Sequence, residues 1–320
     1  MKVTTATAPG KIILFGEHAV VYGRPAIAAP VTQLRALAKV MDTTTNGVRL
    51  LAPDLDRDYW LREAELDDPF ARAVRLLFEA ANIVDPPNLN ITIKSAIPIA
   101  SGLGSGAALA AAVIRSLIHH LDLTTLDNND FISQLTYQVE KLLHGTPSGI
   151  DNTVVVYEQP VFFLRQQPEN RIEALPVGSG ILILIAGSGI PSSTKEVVAD
   201  VRRRWLEDKA RFDRLFNSCG EIAEAAKQAV GDGQTNQLGQ LMNENHELLV
   251  QMRVSSPELD HLVIAARSAG ALGAKMSGGG RGGNMIALVD QDQKEKVRNA
   301  LITAGGDTVF TTILEKSSIE

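Results

Sequence analysis

The chain has 320 residues, of which 45% are hydrophobic and 21% are charged. This composition is typical of a globular protein with room for two hydrophobic cores, and it excludes disordered and fibrous folds. Acidic residues (37) outnumber basic residues (31), which gives a net charge of -6. Because no long Lys/Arg block is present either, the sequence lacks the electrostatic pattern of a nucleic-acid-binding protein.

The single cysteine, Cys219, excludes an internal disulfide bond and a metal site built from several cysteines. The chain begins without the long apolar core of a signal peptide. Its longest apolar stretches, such as residues 181–186, are much shorter than the roughly 20 residues that a membrane helix needs. We therefore expect a cytoplasmic protein that interacts with neither membranes nor nucleic acid.

The first half of the chain is predicted to begin as sheet and to continue with helices. Asn129 can cap a helix that Gly145 is placed to end, and the apolar spacing leaves Glu140 off the main apolar stripe of this helix. An alanine-rich segment at 107–121 predicts a buried helix before it. Short apolar patterns predict strands at 3–7, 11–15, 34–42, 47–51, 88–94 and 154–164, with 34–42 and 47–51 arranged as a hairpin.

Glycines at 178–180 predict a domain boundary near residue 177, with one domain over 1–177 and the other over 178–320. In the second domain, strands are predicted at 181–186, 284–289 and 308–314. Apolar spacing predicts helices at 195–216, 223–230, 238–254, 257–270 and 293–304. Helices interleaved with strands in two lobes indicate an α+β or α/β fold.

Residues 98–106 form a glycine- and serine-rich loop that leads directly into the alanine-rich helix. Its glycines allow backbone N–H groups to converge, and the helix N-terminus adds about half a positive charge, so the segment is suited to bind an anion. Gly102, Gly104 and Ala107 also match the loose pattern G-x-G-x-x-G/A of dinucleotide-binding proteins. Such proteins carry an acidic residue at the end of a second strand about 20 positions later. Here that position falls between two predicted helices, which argues against a dinucleotide-binding site. No Walker G-x-x-x-x-G-K-[ST] motif occurs.

Two further segments combine glycine with charged side chains. Residues 9–18 place Lys11 before a buried strand and the pair Glu17-His18 after it. Residues 140–152 carry Asp151 close to their end, before an apolar segment at 153–157 that is predicted as a strand. Taken separately, Lys11 and Glu17 could be solvated charges at strand ends, and Asp151 could be a turn residue that bonds its own backbone.

Another glycine-rich segment lies near the C-terminus, at residues 275–284. It holds five glycines in six positions, from Gly278 to Gly283. Ordering such a run on folding costs considerable conformational entropy. A linker that only connects two packed elements is therefore not expected here. We therefore expect it to approach a ligand or another backbone closely.

Four segments in this order resemble the GHMP kinase superfamily, which is named for galacto-, homoserine, mevalonate and phosphomevalonate kinases. They are PGKIILFGEHAVVYG at 9–23, HGTPSGIDN at 144–152, GSGIPSSTKEVV at 187–198, and the stretch at 255–284. The resemblance covers almost the whole chain. It implies a two-domain α+β fold, with an N-terminal domain related to ribosomal protein S5, a ferredoxin-like C-terminal domain, and ATP and substrate in the cleft between them.

The resemblance also implies roles for individual residues. Asp151 would face the acceptor hydroxyl, as a base or as an electrostatic orienter, and Lys11 would lie beside it. Glu140 and Ser105 would hold Mg²⁺. The ATP phosphates would lie on Gly102, Leu103, Gly104, Ser105, Gly106 and Ala107, and the acceptor would contact Glu17, His18, Ser148, Gly149, Thr194, Gly278 and Gly279.

The sequence departs from the family pattern at two places. Many members with this type of phosphate loop carry two serines after the glycine at position 104, and the second, a metal ligand, is here Gly106. Mg²⁺ commonly keeps several waters, so a water could replace the missing hydroxyl. The C-terminal glycine segment also contains Arg281 and Asn284, where the family often has smaller residues.

The resemblance implies ATP- and Mg²⁺-dependent phosphorylation of the primary hydroxyl of mevalonate, a step in isoprenoid synthesis. One alternative is a GHMP kinase that acts on homoserine, a sugar or another substrate of the mevalonate pathway. The other is a nucleotide-binding regulator without turnover, against which the retained Lys11, Glu140 and Asp151 argue. Because family members are often dimers, a homodimer is expected by analogy.

Overall fold

The computed structural model describes residues 1–98, 101–145, 147–166 and 170–317, and the chain divides into two compact units. The first unit consists of Met1–Lys11, Leu34–Pro98 and Gly104–Glu158. The second consists of Ile12–Gln33, Ile99–Leu103 and Gln159–Glu320. The domain boundary near residue 177 stays a prediction. Within the described residues, no helix combines the length and the apolar character needed to cross a lipid bilayer.

The described residues of the N-terminal part of the chain form five strands and four α-helices. In chain order they are β1 (Val3–Phe15), β2 (Ala26–Asp42), β3 (Val48–Ala52), β4 (Arg57–Trp60), α1 (Pro69–Ala80), β5 (Leu89–Ser95), α2 (Ser105–His120), α3 (Asn129–His144) and α4 (Ile150–Tyr157). In the first unit, α2 packs against α1, α3, α4 and β5. The helix predicted at 107–121 is thus confirmed as α2, and twelve of its sixteen residues are buried.

The predicted hairpin between 34–42 and 47–51 is wrong. Strand β5 lies between them, because β2 pairs antiparallel with β5 and β3 pairs parallel with β5. The register sets Ala38 against Ile93 and Val40 against Ile91, all of them buried. Parallel strands need a crossover connection rather than a tight turn, and here it runs through β4 and α1.

The strand predicted at 154–164 is also wrong in its first half, where the chain forms α4. Gly149, with φ 93°, precedes the helix, and Glu158 ends it in a left-handed conformation. A run of three valines favours a strand by propensity, but Val154, Val155 and Val156 are all buried here, so tertiary packing overrides the local preference. A smaller correction concerns α3, which is capped by Asn128, whose side chain accepts from Phe131 N at 2.9 Å.

The remaining elements belong to the second unit. They are β6 (Val161–Leu164), β7 (Arg171–Ala174), β8 (Ile181–Gly187), α5 (Thr194–Glu207), α6 (Lys209–Gly231), α7 (Thr235–Gln251), α8 (Pro257–Ser268), β9 (Gly273–Ser277), β10 (Asn284–Leu288), α9 (Lys294–Thr303) and β11 (Val309–Leu314). Four of the strands form an antiparallel sheet in the order β11-β8-β10-β9. Every residue of β8 is buried, which explains its uninterrupted apolar sequence.

The helix predicted at 195–216 is two helices. Asp208 ends α5 and caps α6, since its side chain accepts from Arg211 N at 3.1 Å. Helix α6 then continues to Gly231 and absorbs the separate helix predicted at 223–230. An aspartate between charged helical residues carries little sequence signal for such a break.

Candidate active site

Lys11 and Asp151 form an ion pair in the first unit. The Lys11 Nζ atom lies 3.2 Å from Asp151 Oδ2, and the lysine side chain is 8% exposed while the aspartate is 28% exposed. Lys11 is held by β1, and Asp151 lies in the first turn of α4, where the positive end of the helix dipole favours a carboxylate. The arrangement places a partly exposed carboxylate next to an almost completely buried ammonium group.

Glu140 of α3 adds a second carboxyl group to this pair. Burial raises the pKa of Glu140 to about 8, the negative charge of Asp151 acts in the same direction, and Lys11 opposes both. Glu140 was predicted to lie off the apolar stripe of α3, but it is buried, with only 2% of its surface exposed. The carboxyl groups of Glu140 and Asp151 thus both interact with the single ammonium group of Lys11. A bound cation would compensate their remaining negative charge.

The start of α2 adjoins the same lysine. Gly104 precedes the helix with φ 74°, and a Cβ atom there would lie 2.8 Å from Lys11 Cγ. Ser105, Gly106 and Ala107 form the first turn, which contains no acidic residue. This helix N-terminus has no acidic residue in its first turn and lies against the Lys11 side chain. Both features suit it to bind phosphate oxygens.

Gly104→Ala is therefore expected to weaken ATP binding and to destabilise the first unit. The left-handed backbone costs alanine about 1–2 kcal/mol, and the added Cβ must displace the Lys11 side chain. Urea unfolding and the KM for ATP measure the two effects. Gly305→Ala is the control, because Gly305 also has a positive φ (91°), nothing lies within 4 Å of a Cβ there, and it is not one of the predicted site residues. Equal effects of the two changes on the KM for ATP would contradict the close packing of Gly104 on Lys11.

A separate group of predicted residues lies in the second unit around His18. The His18 Nε2 atom lies 2.9 Å from the carbonyl oxygen of Gly279. Since a carbonyl can only accept, Nε2 carries the proton, and the neutral ring presents Nδ1 as an acceptor. Burial lowers the pKa of His18 to about 4, and the charge of Arg281 acts in the same direction. The imidazole is therefore neutral at physiological pH.

The C-terminal glycine segment is explained by close approaches to other parts of the second unit. A Cβ on Gly279 would lie 2.6 Å from Thr194 Oγ1. Cβ atoms on Gly280 and Gly282 would collide with the backbone carbonyls of Val254 and Ile190. The expected approach to another backbone is thus confirmed.

Arg281 and Asn284, the two departures in this segment, both make specific contacts. Arg281 pairs with Asp200 of α5 and also donates from Nε to the Arg253 carbonyl at 3.2 Å. Asn284 donates from Nδ2 to the Ser101 carbonyl at 2.5 Å. These side chains anchor the glycine segment within the second unit.

The structure divides the predicted site residues between the two units. Ser148 accepts from Ile150 N at 3.3 Å next to Gly149, and Leu103 is buried, so it can offer a ligand only its backbone. Ile99, Ala100 and Thr146, which belong to the predicted loops, lie outside the described residues. The first unit contains Lys11, Gly104, Ser105, Gly106, Ala107, Glu140, Ser148, Gly149 and Asp151, and the second contains Glu17, His18, Gly102, Leu103, Thr194, Gly278 and Gly279.

Lys275 is not among the site residues predicted from the sequence. Its side chain is fully buried and forms an ion pair with Glu17. A signal was present, because Lys275 interrupts the otherwise uncharged strand β9 between Ala274 and Met276. The pairing itself could not be read from the sequence, since the two residues are 258 positions apart.

The chain is similar to known proteins over almost its whole length. Residues 69–159 match the family described as GHMP kinases N terminal domain, and residues 222–315 match GHMP kinases C terminal. The mevalonate kinase of Thermococcus onnurineus (strain NA1) is 38% identical over 332 residues, which cover 97% of this chain and 96% of the relative. The mevalonate kinase of Pyrococcus abyssi (strain GE5 / Orsay) is 35% identical, with 98% and 96% covered.

A solved structure is similar as well. The crystal structure of L. major mevalonate kinase in complex with R-mevalonate matches with a TM-score of 0.86 and 29% identity, over 98% of this chain and 97% of that one. Together with the family matches, this similarity confirms the predicted α+β GHMP kinase fold. The chain belongs to the GHMP kinase family.

Proposed function

We propose that this chain transfers the γ-phosphoryl group of ATP to the primary hydroxyl of mevalonate and so forms 5-phosphomevalonate. The observation that carries the proposal is the Lys11–Asp151 ion pair beside Gly104 at the start of α2. Phosphoryl transfer requires mainly positioning of the reactants and positive charge where the negative charge of the phosphoryl group spreads. The near-full-length similarity to mevalonate kinases supports mevalonate as the acceptor.

In this proposal the acceptor oxygen attacks the γ-phosphorus while the bond to the bridging oxygen of ADP breaks. Asp151 accepts the hydroxyl proton or orients the hydroxyl electrostatically. Lys11 pairs with Asp151 and neutralises charge on the transferring group. Backbone N–H groups from Gly102 to Ala107 hold the phosphates, and the acceptor contacts are assigned to Glu17, His18, Ser148, Gly149, Thr194, Gly278 and Gly279.

Mg²⁺ is the proposed cofactor, and the donors of the first unit fit it. Hard divalent cations prefer carboxylate and hydroxyl oxygens, and Glu140 and Ser105 would hold the ion. A cation would also compensate the negative charge of Asp151 that contributes to the raised pKa of Glu140. Bound Mg²⁺ supplies positive charge to the phosphate oxygens. Gly106 offers no hydroxyl in the first turn of α2, so water is expected to complete the coordination shell.

Mg²⁺ binding is expected to weaken as the pH falls below 8. Because the pKa of Glu140 is raised to about 8, most of this carboxyl group is protonated at neutral pH, and a metal ligand must lose that proton. The apparent Kd for Mg²⁺ should rise by up to about tenfold per pH unit below that pKa. Calorimetric titration of Mg²⁺ in the presence of a non-hydrolysable ATP analogue measures it.

Glu140→Gln is the control for protonation of the nucleotide itself. The amide cannot titrate, so the variant should bind Mg²⁺ more weakly and with a flatter pH dependence. If wild type and variant showed the same pH dependence, Glu140 would not be a metal ligand.

The proposed function is tested by ADP release with a panel of acceptors, namely mevalonate, phosphomevalonate, homoserine and galactose. We expect release to depend on mevalonate and on Mg²⁺. Release with a different acceptor would identify another GHMP kinase, and ATP binding without release for any acceptor would identify a regulator. A homodimer stays a prediction, which sedimentation velocity can test.

A further inference from the structure

The second unit contains a fully buried ion pair between Glu17 and Lys275. Both side chains are 0% exposed, and Lys275 Nζ also donates to the Met276 carbonyl at 2.8 Å. Lysine and glutamate are rarely buried to this extent unless they are paired. The pair therefore fixes the end of the Glu17 side chain at a defined point of strand β9.

The Glu17–Lys275 pair lies near other side chains that carry no compensating charge, namely Phe15, Cys219 and Asn245. The ammonium group of Lys275 lies 6.0 Å from the centre of the Phe15 ring. Cys219 of α6 is buried close by, and Asn245 of α7 donates to Cys219 Sγ at 3.5 Å. Burial raises the pKa of Cys219 to about 12, and the negative charge of Glu17 adds to the shift, so the thiol stays neutral. Removing one partner of a buried pair leaves the other charge poorly compensated.

Two other contacts join the same pair of segments as the ion pair. Ser277 Oγ donates to the Ile13 carbonyl at 2.8 Å and accepts from Ile13 N at 3.2 Å. In addition, His18 contacts the Gly279 carbonyl. Residues 13–18 are thus held to residues 275–279 by three contacts, of which the Glu17–Lys275 pair is the charged one.

His18 has a backbone conformation that needs such support. Its φ is 59°, in the left-handed region that residues other than glycine rarely adopt, and its ψ is -45°. Such residues persist when the surrounding structure holds them in place. Glu17 is the preceding residue, so the position of its side chain directly restricts the peptide that joins it to His18.

We propose that Lys275 is a positioning residue for the acceptor, which acts by holding the Glu17 carboxylate and thereby fixing the backbone and ring direction of His18. Lys275 itself does not touch the acceptor. The inference rests on the proposed function, because it assigns the acceptor contacts to the Glu17-His18 segment. It predicts that Lys275 affects acceptor binding only while Glu17 is present.

A double-mutant cycle with Glu17→Gln and Lys275→Met tests this dependence. In the wild-type background, Lys275→Met should raise the KM for mevalonate about tenfold or more and leave the KM for ATP within about twofold. In the Glu17→Gln background, the same change should alter the KM for mevalonate by less than about twofold. ADP release at varied mevalonate and saturating ATP gives these values.

Urea unfolding of the same four proteins separates positioning from loss of the fold. Lys275→Met leaves Glu17 buried without its cation, so its unfolding midpoint should fall. The double variant lacks both charges and should have a higher midpoint than Lys275→Met. Lys227→Met is the matched control, because Lys227 forms an ion pair with Glu173 in the same unit with both side chains about one third exposed. It should leave both KM values unchanged.

If Lys275→Met multiplied the KM for mevalonate equally in both backgrounds, or left it unchanged in a folded protein, the proposal would be wrong. Failure of the proposed function would look different, because the wild type would then release no ADP with mevalonate. The kinetic cycle would in that case be measured with the acceptor that the wild type phosphorylates, and the same two outcomes would decide the role of Lys275.

Discussion

Asp151→Asn is expected to lower kcat for mevalonate phosphorylation by about a thousandfold and to leave the Kd for ATP within about twofold of the wild-type value. The amide preserves the shape of the side chain. It cannot accept a proton at neutral pH, and it does not carry the negative charge that lies 3.2 Å from the Lys11 ammonium group. The loss should therefore fall on the chemical step, which single-turnover kinetics measures directly.

The same substitution should change the ionisation of Glu140. The charge of Asp151 contributes to the raised pKa of Glu140, so its removal should lower that pKa and shift the pH dependence of Mg²⁺ binding to lower pH. Asp85→Asn, at an exposed position of the first unit, serves as the control and should change neither quantity. Near-wild-type turnover by Asp151→Asn would rule out the catalytic role of this carboxylate.

Elements with strong periodicity could be predicted from the sequence, and elements set by tertiary contacts could not. The alanine-rich helix α2 and the strand β8 have uniform patterns and were predicted almost to the residue. Helix α4 was predicted as a strand, because a short apolar run fits either structure and only its burial decides between them. The pairing of β3 with β5 was missed because 36 residues lie between the end of β3 and the start of β5, so no local signal records it.

The candidate site shows the same limit. Lys11, Asp151 and the loop before α2 were identified because charged and glycine residues form compact sequence segments. The pKa shift of Glu140 depends on its burial and on its proximity to Asp151, neither of which has a sequence signature. Lys275 was overlooked for a related reason, since a buried lysine is recognised only when its partner Glu17 is seen.

Lys11→Met is expected to lower kcat by about a hundredfold to a thousandfold, with a smaller change in the KM for ATP. The methionine fills a similar volume, so the packing of Gly104 against the side-chain stem at residue 11 should be retained. What is lost is a positive charge that interacts more strongly with the γ-phosphoryl group as negative charge develops during transfer. Lys94→Met, at an exposed position of β5, is the matched control and should leave kcat unchanged.

Lys11 acts in two ways, and the pH dependence of the variant separates them. Because Lys11 lowers the pKa of Glu140, its removal should raise that pKa further and keep this carboxyl group protonated to higher pH. If Lys11 served mainly to lower the pKa of Glu140, the variant should recover most of its activity at alkaline pH. If it mainly stabilises the transferring phosphoryl group, the kcat defect should persist across the pH range. We expect the second result, because Asp151 is partly exposed and lies at a helix N-terminus, where the helix dipole also favours negative charge. An increase in the KM for ATP with unchanged kcat would instead make Lys11 a residue of nucleotide binding.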